Sequence, residues 1–482
     1  MSTASAALNV ARRRAELLRA AEDVTDLLVV GGGITGVGAA LDAAARGLSV
    51  TLIEAEDLAF GTSRFSSKLV HGGLRYLATG DVATARESAE ERHLLMTAIA
   101  PHLIRPLPQL LPFASGITVR QRAAGAVGMT MGDALRLRAR TPRRVLPPPR
   151  FVGRRRALAL APGLAPHGLR GGMISFDGQL EDDARLVTTV ARTAAAQGAL
   201  ILTRVRAVSL HAEGARALDV LTGESLDIRA RAVVNATGVW AGTLDGNLTL
   251  RPSRGTHIVL DAADLGHPGA ALTIPHPGSI SRYVFALPQP HGRVIVGLTD
   301  EDAPGAIPRV AMPTEEEIDF LLSLLNGVLR VPVHRASVRG AFAGLRPLVD
   351  TGADSTADIS RRHLVQLSDA GFVNVLGGKL TTYRRMAEDA VDLAVRARGL
   401  SAPPSRTATL RLVDRDVPLG EPLLSGPGIT RADVEYAVLH EGALTTDDVL
   451  DRRTRVGLVD GDRSRAHDLV AAIVSESLDR LG

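Results

Sequence analysis

The chain has 482 residues, 45% hydrophobic and 22% charged, with a formal net charge of +4. That is ordinary for a soluble globular protein with room for two or three domains. It contains no cysteine, which excludes disulfides, thiolate-bound iron–sulfur clusters, a redox-active dithiol and a cysteinyl flavin link. Any redox chemistry must therefore rest on an organic cofactor. The 13 histidines show neither paired helical spacing nor a companion acid cluster, so no metal site is expected.

In chain order, residues 1–22 read as an amphipathic helix carrying Arg12, Arg13 and Arg14. With no apolar core before a cleavage site, no signal peptide is expected, and no apolar run approaches the ~18–20 residues of a membrane span. VTDLLVVGGGITGVGAALDAAARGLSVTLIE, Val24 to Glu54, then reads as strand, glycine turn, Ala-rich helix, strand and terminal carboxylate. Gly31, Gly33 and Gly36 fit G-x-G-x-x-G: the first allows the tight turn, the second lets a pyrophosphate approach the backbone, and the third permits close helix–strand contact. The helix start offers N–H groups and a positive dipole end to that pyrophosphate. Glu54 is placed to accept from an adenosine ribose. These parts together predict a dinucleotide-binding unit.

GTSRFSSKLVHGGLRYLATGD reads as a loop leading into the helix DVATARESAEERHLLMTAIAPHL, which ends near Pro101. Residues 116–170 carry twelve arginines against a single acid, Asp133, with a break at PPPRF. LEDDARLVTTVARTAAAQGALILTRVRAVSL returns to helix and strand, and RARAVVNATGVWAG is a buried strand ending in the turn Asn235–Gly238, where α/β sheets hold ligands. Residues 251–338 are β-rich (THIVL, RYVFALP, GRVIVGLTD), VRGAFAGLRPLVD and FVNVLGGKLTTYRRMAEDAVDLAVRARGL come back to strand, turn and helix, and after APPSR two short helices finish the chain.

The expected organisation follows. Residues 1–22 are an N-terminal helix; residues 23–115, 171–250 and 339–400 form a discontinuous dinucleotide-binding domain. Residues 116–170 and 251–338 give the Arg-rich segment and the substrate domain, and 401–482 a small helical domain. The fold class is α/β, a Rossmann-like FAD-binding domain with an inserted antiparallel β-sheet substrate domain and a short helical C-terminal cap. A substrate would meet the cofactor in the cleft between the layers. FAD is favoured over a nicotinamide because the fingerprint lies near the start, an ATG turn recurs near residue 237, and GGKLTTYR opens a late helix. Residues 55–115 show no further parallel strands for a contiguous mononucleotide half.

Of 56 basic residues only Lys68 and Lys379 are lysine, both within glycine-bearing motifs. Codon bias accounts for most of that skew, but a compact ammonium is not replaceable by a planar fork, so both are functional candidates.

SSKLVHGGLRYL, GLRPL, the ISR of Ile359–Arg361 and GGKLTTYR, in this order over roughly residues 24–400, resemble the FAD-dependent, respiratory glycerol-3-phosphate dehydrogenases. VEYAVLHEGALTTDDVLDRRTRVGL is similar to that family's cap domain, here shorter than in many members. The resemblance implies FAD as cofactor and oxidation of glycerol 3-phosphate to dihydroxyacetone phosphate, with electrons passing to a membrane quinone. It implies that Arg346 and Arg361 clamp the phosphate or hydroxyl end, that Arg75 and Tyr76 line the same pocket, and that Lys379 stabilises negative charge as hydride arrives. Cofactor contacts would come from Gly31, Gly33, Gly36, Glu54, Thr62, Ser63, Ser66, Ser67, Lys68, Val205, Gly238, Gly378, Lys379, Leu380 and Thr381. A base is needed for the hydroxyl proton, and histidine suits it; His71 and His257 are both candidates, His71 with the stronger motif. Trp240 is as well explained by packing as by shielding the cofactor.

The Arg-rich region lacks the aromatics of a nucleic-acid surface, having only Phe151. Contact with anionic lipid and plain solvated charge stay equally open. The expected location is cytoplasmic, peripheral on the inner face of the cell membrane, and a homodimer stays open. Rival readings are a glycerol-phosphate oxidase that uses oxygen and makes hydrogen peroxide, a flavin-dependent amine or hydroxy-acid oxidoreductase, and a non-enzymatic flavin module.

Overall fold

The computed structural model describes residues 6–73, 76, 80–349 and 362–481. The first sheet runs in the order His363–Leu367, Val373–Gly377, Ser225–Asn235, Val24–Val30, Val50–Glu54, Leu200–Thr203, and its central neighbours pair in parallel. Val24–Val30 is buried on both faces from Leu27 onward, which is why it reads as an unbroken apolar run. One face packs on the helices Ile34–Ala45, Asp183–Ala196 and Tyr383–Arg398 through Leu27, Val29, Val37, Val187 and Ala387. The other is covered by the hairpin Val205–His211 and Gly214–Asp219 and by the N-terminal helix Val10–Glu22. That helix is capped by Asn9, and its Arg13 is a buried tie to Asp219 rather than a solvated charge.

The second sheet has ten strands in the order Glu301–Asp302, Ser253–Asp261, Arg293–Gly297, Tyr283–Gln289, Ala271–Pro275, Ile104–Pro112, Gly172–Leu180, Leu69–Val70, with Gly340–Arg346 also on Ser253–Asp261 and Arg150–Val152 on Gly172–Leu180. It is mostly antiparallel, as expected, with one parallel pairing between Ile104–Pro112 and Ala271–Pro275.

Four strands depart from the expected organisation. Leu69–Val70, Ile104–Pro112, Gly172–Leu180 and Gly340–Arg346 lie in stretches assigned to the dinucleotide-binding domain, yet all pair in the second sheet. Gly340–Arg346 matches Ser253–Val259 residue for residue, so its hydrogen bonds belong there. Ile104–Pro112 has a parallel pairing that was not expected in 55–115, but it lies in the second sheet, so among the described residues this stretch adds no strand to a contiguous mononucleotide half. Two interior prolines, Pro106 and Pro108, hid Ile104–Pro112 from pattern reading.

Within residues 116–170 the chain forms the helix Val119–Arg138, opened by a reciprocal Thr118–Gln121 capping box, and a short helix Arg154–Leu160. The C-terminal region has its own core around Val434, Val438, Leu450, Val470 and Ile473. Its helices are Arg431–His440, the turn Thr446–Arg453, and the 20-residue Asp460–Asp479, so the expectation of two short helices was too small.

Candidate active site

Both sheets end on one cavity of about 1120 Å³. Its dinucleotide side is built from the glycine turn. Gly31 has φ +113°, and a Cβ there would sit 2.6 Å from Ala236 O; one on Gly36 would strike Gly31 O. Gly31 and Gly33 line the cavity while Gly36 lies behind it, matching the division into turn, approach and packing. Gly33 begins the helix with no cap of its own, and Ser63 Oγ takes only the first N–H, of Ile34, leaving the rest of that end to a ligand. Glu54 closes the second strand, accepting from Gly32 N at 2.6 Å and Glu56 N at 2.8 Å. Enclosure raises its carboxyl above the usual range despite these donors. Ser63 Oγ accepts from Ile34 N at 2.9 Å, Thr62 Oγ1 donates to Leu345 O at 2.6 Å, and Val205 and Gly238 line the adjoining wall. Trp240 lines it too, packed so near Gly61 that a Cβ there would meet its ring at 2.8 Å.

The late strand Val373–Gly377 delivers Gly377 and Gly378, both at φ +69°, and then Lys379, Leu380 and Thr381, all at the cavity. A Cβ on Gly378 would meet Met386 Sδ at 2.4 Å, so this close turn requires glycine. Lys379 Nζ donates to Ser88 Oγ and stands 4.1 Å from the ring centroid of Tyr76, which is also in the wall.

The floor belongs to the second sheet. Arg346 is held by Ser253 Oγ at 3.1 Å, Asp300 Oδ1 at 3.2 Å and Thr299 O at 3.1 Å, which fixes the plane of its guanidinium. His257, from the strand paired with that of Arg346, stacks on Phe342 with centroids 4.9 Å apart and shares a 2.8 Å hydrogen bond with Ser67 Oγ. Burial, then the charges of Lys68 and Arg346, push His257 down to about 3, so it is a neutral imidazole. His71 also lines the cavity; its Nδ1 accepts from Gly73 N at 3.2 Å and its N donates to Thr381 Oγ1 at 3.3 Å.

Lys68 departs from expectation. Its Nζ donates to Asp183 Oδ1 and Arg64 O, both at 2.6 Å, and the residue is 1% exposed and not part of the wall. An ammonium inside a protein needs a carboxylate, and Asp183 supplies it. Its neighbours Ser66 and Ser67 do face the cavity. Arg75 and Arg361 lie outside the described residues. Sequence reading missed Asp300, Ser253 and Asp183, the residues that hold Arg346 and Lys68; nothing local marks them, since each becomes a partner only when the second sheet closes. It also missed that the helix Val119–Arg138 lines the cavity mouth with Gly125, Val127, Gly128 and Met131. Among the described residues no acid–histidine group could hold a metal ion, and no helix is long and apolar enough to cross a membrane.

Residues 26–384 match the family model described as FAD dependent oxidoreductase, and 404–480 the C-terminal domain of alpha-glycerophosphate oxidase. Glycerol-3-phosphate dehydrogenase 1 of Mycobacterium tuberculosis is 50% identical over 99% of both chains. The chain belongs to the FAD-dependent glycerol-3-phosphate dehydrogenase family. The mitochondrial glycerol-3-phosphate dehydrogenase of Bos taurus is 38% identical over 80% of this chain and 55% of its own. The glycerol-3-phosphate dehydrogenase of Bacillus halodurans, solved with FAD, superimposes with a TM-score of 0.71, 25% identity, and coverage of 98% and 96%. FAD is the cofactor of this family member, and the open helix end at Gly33, the Gly31 turn, Glu54 and the Gly377–Gly378 turn fit so long a ligand.

Proposed function

We propose that this chain oxidises sn-glycerol 3-phosphate to dihydroxyacetone phosphate with FAD, and that the electrons then pass to a membrane quinone. The observation that carries this reading is the meeting, in one cavity, of a dinucleotide cradle with Arg346, Lys379 and a neutral imidazole. Bound FAD supplies the two-electron acceptor for the carbinol hydride. Arg346, its plane set by Asp300, Ser253 and Thr299, grips the phosphate with charge-assisted hydrogen bonds. Arg361, Arg75 and Tyr76 complete that grip in this reading. Lys379 stabilises negative charge on the substrate oxygen as its proton leaves.

His257 takes that proton. His71, the candidate with the stronger motif, has Nδ1 accepting from Gly73 N, so a neutral ring carries its hydrogen on Nε2, whereas His257 Nε2 can take the proton of Ser67 Oγ, a hydroxyl in the cavity wall that takes the substrate proton in exchange. Burial is the main cause that depresses His257, with the charges of Lys68 and Arg346 adding to it; a phosphate dianion held by Arg346 offsets the last of these, so the basicity of the ring rises with the substrate in place.

A membrane acceptor is supported by the cavity mouth. Val127 and Met131 line it yet are exposed, and Val119, Leu137 and Phe151 are exposed nearby in sequence, among the arginines of residues 116–170. Exposed apolar residues interspersed along the chain with arginine suit anionic lipid and a peripheral seat on the inner face of the membrane. The oxidase reading draws on the match over residues 404–480. Anaerobic titration of the yellow protein tests the core of the proposal: glycerol 3-phosphate should bleach the flavin stoichiometrically and glycerol should not. Failure to bleach overturns the activity; rapid oxygen uptake with peroxide would replace the quinone by oxygen.

A further inference from the structure

The C-terminal domain reaches the cofactor side of the cavity through two buried arginines. Asp57 lies just beyond Glu54, in the loop that leads to the cavity-lining residues Phe60, Gly61, Thr62 and Ser63. Its carboxylate is 1% exposed. Arg452 Nε donates to Oδ2 at 2.7 Å, and Arg453 grips both oxygens at 2.8 Å. Burial alone would raise Asp57, but Arg453 and Arg452 outweigh it and hold the carboxyl at about 2. Both arginines lie on the π-helical turn Val449–Arg453, the kind of local widening that re-aims side chains. Arg452 also pairs with Asp448 and stands 5.6 Å from the ring of Phe60. Asp448 in turn binds Arg204, which binds Glu56. At its other end the loop is tied to the glycine turn by Ala59 N donating to Gly32 O at 3.0 Å.

We propose that Arg452 and Arg453 are positioning residues for FAD: by clamping Asp57 they hold the Glu54–Ser63 loop against the Gly31–Gly33 turn, so that the C-terminal domain sets cofactor affinity. Neither arginine lines the cavity, so the effect runs through the loop. Without the clamp, the loop must be ordered at the expense of binding energy, and affinity falls. Linkage makes the effect reciprocal: if the clamp tightens FAD, FAD must stabilise the clamp. The inference depends on the flavin and not on which substrate or acceptor is used.

The test compares Arg452→Gln with Arg431→Gln, an exposed arginine of the same domain paired with Glu435 and Glu476. FAD release from diluted holoenzyme, followed by flavin fluorescence, should show a dissociation constant raised at least about tenfold in Arg452→Gln and unchanged in Arg431→Gln. At saturating FAD, kcat and the KM for glycerol 3-phosphate should stay within about twofold. A variant that melts earlier yet keeps wild-type FAD affinity overturns the proposal. If Arg452→Gln does not fold, hydrogen exchange of the wild type decides. Adding FAD to flavin-free protein should slow exchange in residues 449–455 as well as in 55–61, and protection confined to 55–61 overturns it. Absence of glycerol 3-phosphate turnover with normal flavin binding would count against the proposed activity alone.

Discussion

Ser67 Oγ and His257 Nε2 lie 2.8 Å apart, joining the loop after the glycine unit to the floor of the second sheet. That bond orients the imidazole proposed to take the substrate proton. Replacing Ser67 by alanine removes a partner worth about 1–1.5 kcal/mol, so kcat/KM should fall roughly tenfold with flavin content intact. Steady-state kinetics on flavin-quantified protein would check this, and an unchanged kcat/KM removes His257 from the proton path.

Arg346→Ala deletes the fixed fork over the cavity floor. The KM for glycerol 3-phosphate should rise about ten- to a hundredfold, from the loss of charge-assisted hydrogen bonds worth about 1.5–3 kcal/mol. Flavin absorbance per protein should not change. Loss of flavin with unchanged KM would mark Arg346 as purely structural.

Lys68→Met leaves Asp183 buried and unpaired, with an expected loss of about 3–5 kcal/mol in stability. Denaturant unfolding should show a lower midpoint, while the substrate KM of the folded fraction stays near wild type. A selective KM effect with normal stability would return Lys68 to the active site.

The pH dependence has a definite sign. His257 has an ordinary value of 6.5 and is held at about 3 in the folded chain, so in between only the unfolded chain takes up the proton. Its contribution to stability is complete above about 6.5 and is lost as pH falls toward 3. Thermal melts between about pH 7 and pH 5 should therefore fall more steeply for the wild type than for His257→Gln. Parallel curves would show that the ring is not held neutral by the fold.

Val119→Glu with Leu137→Glu charges two exposed apolar positions that are not part of the cavity wall. Binding to anionic vesicles should weaken several-fold at physiological salt, while turnover with a water-soluble dye acceptor stays unchanged. Equal vesicle binding would reduce the Arg-rich region to solvated charge.

The cradle was legible because its parts are consecutive. Gly31, Gly33, Gly36 and Glu54 are separated by one strand and one helix, and local spacing fixes where each ends up. The other wall was legible only as motifs. GLRPL marked Arg346 and THIVL held His257, but their partners Asp300 and Ser67 come from elsewhere in the chain, and pairing between distant strands is not written in either segment. Gly340–Arg346 shows the same limit: its apolar pattern predicts a strand, and only the register against Ser253–Asp261 assigns it to a sheet. Lys68 was misplaced because a rare residue in a glycine-rich motif looks the same whether its ammonium meets a ligand or a buried aspartate.

The neighbour order of the first sheet sets a timetable for synthesis. Val24–Val30 is among the first strands to leave the ribosome, yet one of its edges waits for Ser225–Asn235. At roughly 5–20 residues per second that edge stays unpaired for on the order of ten seconds or more. Throughout that interval a stretch of apolar backbone is open to other nascent chains, a hazard that the stability of the finished protein does nothing to reduce.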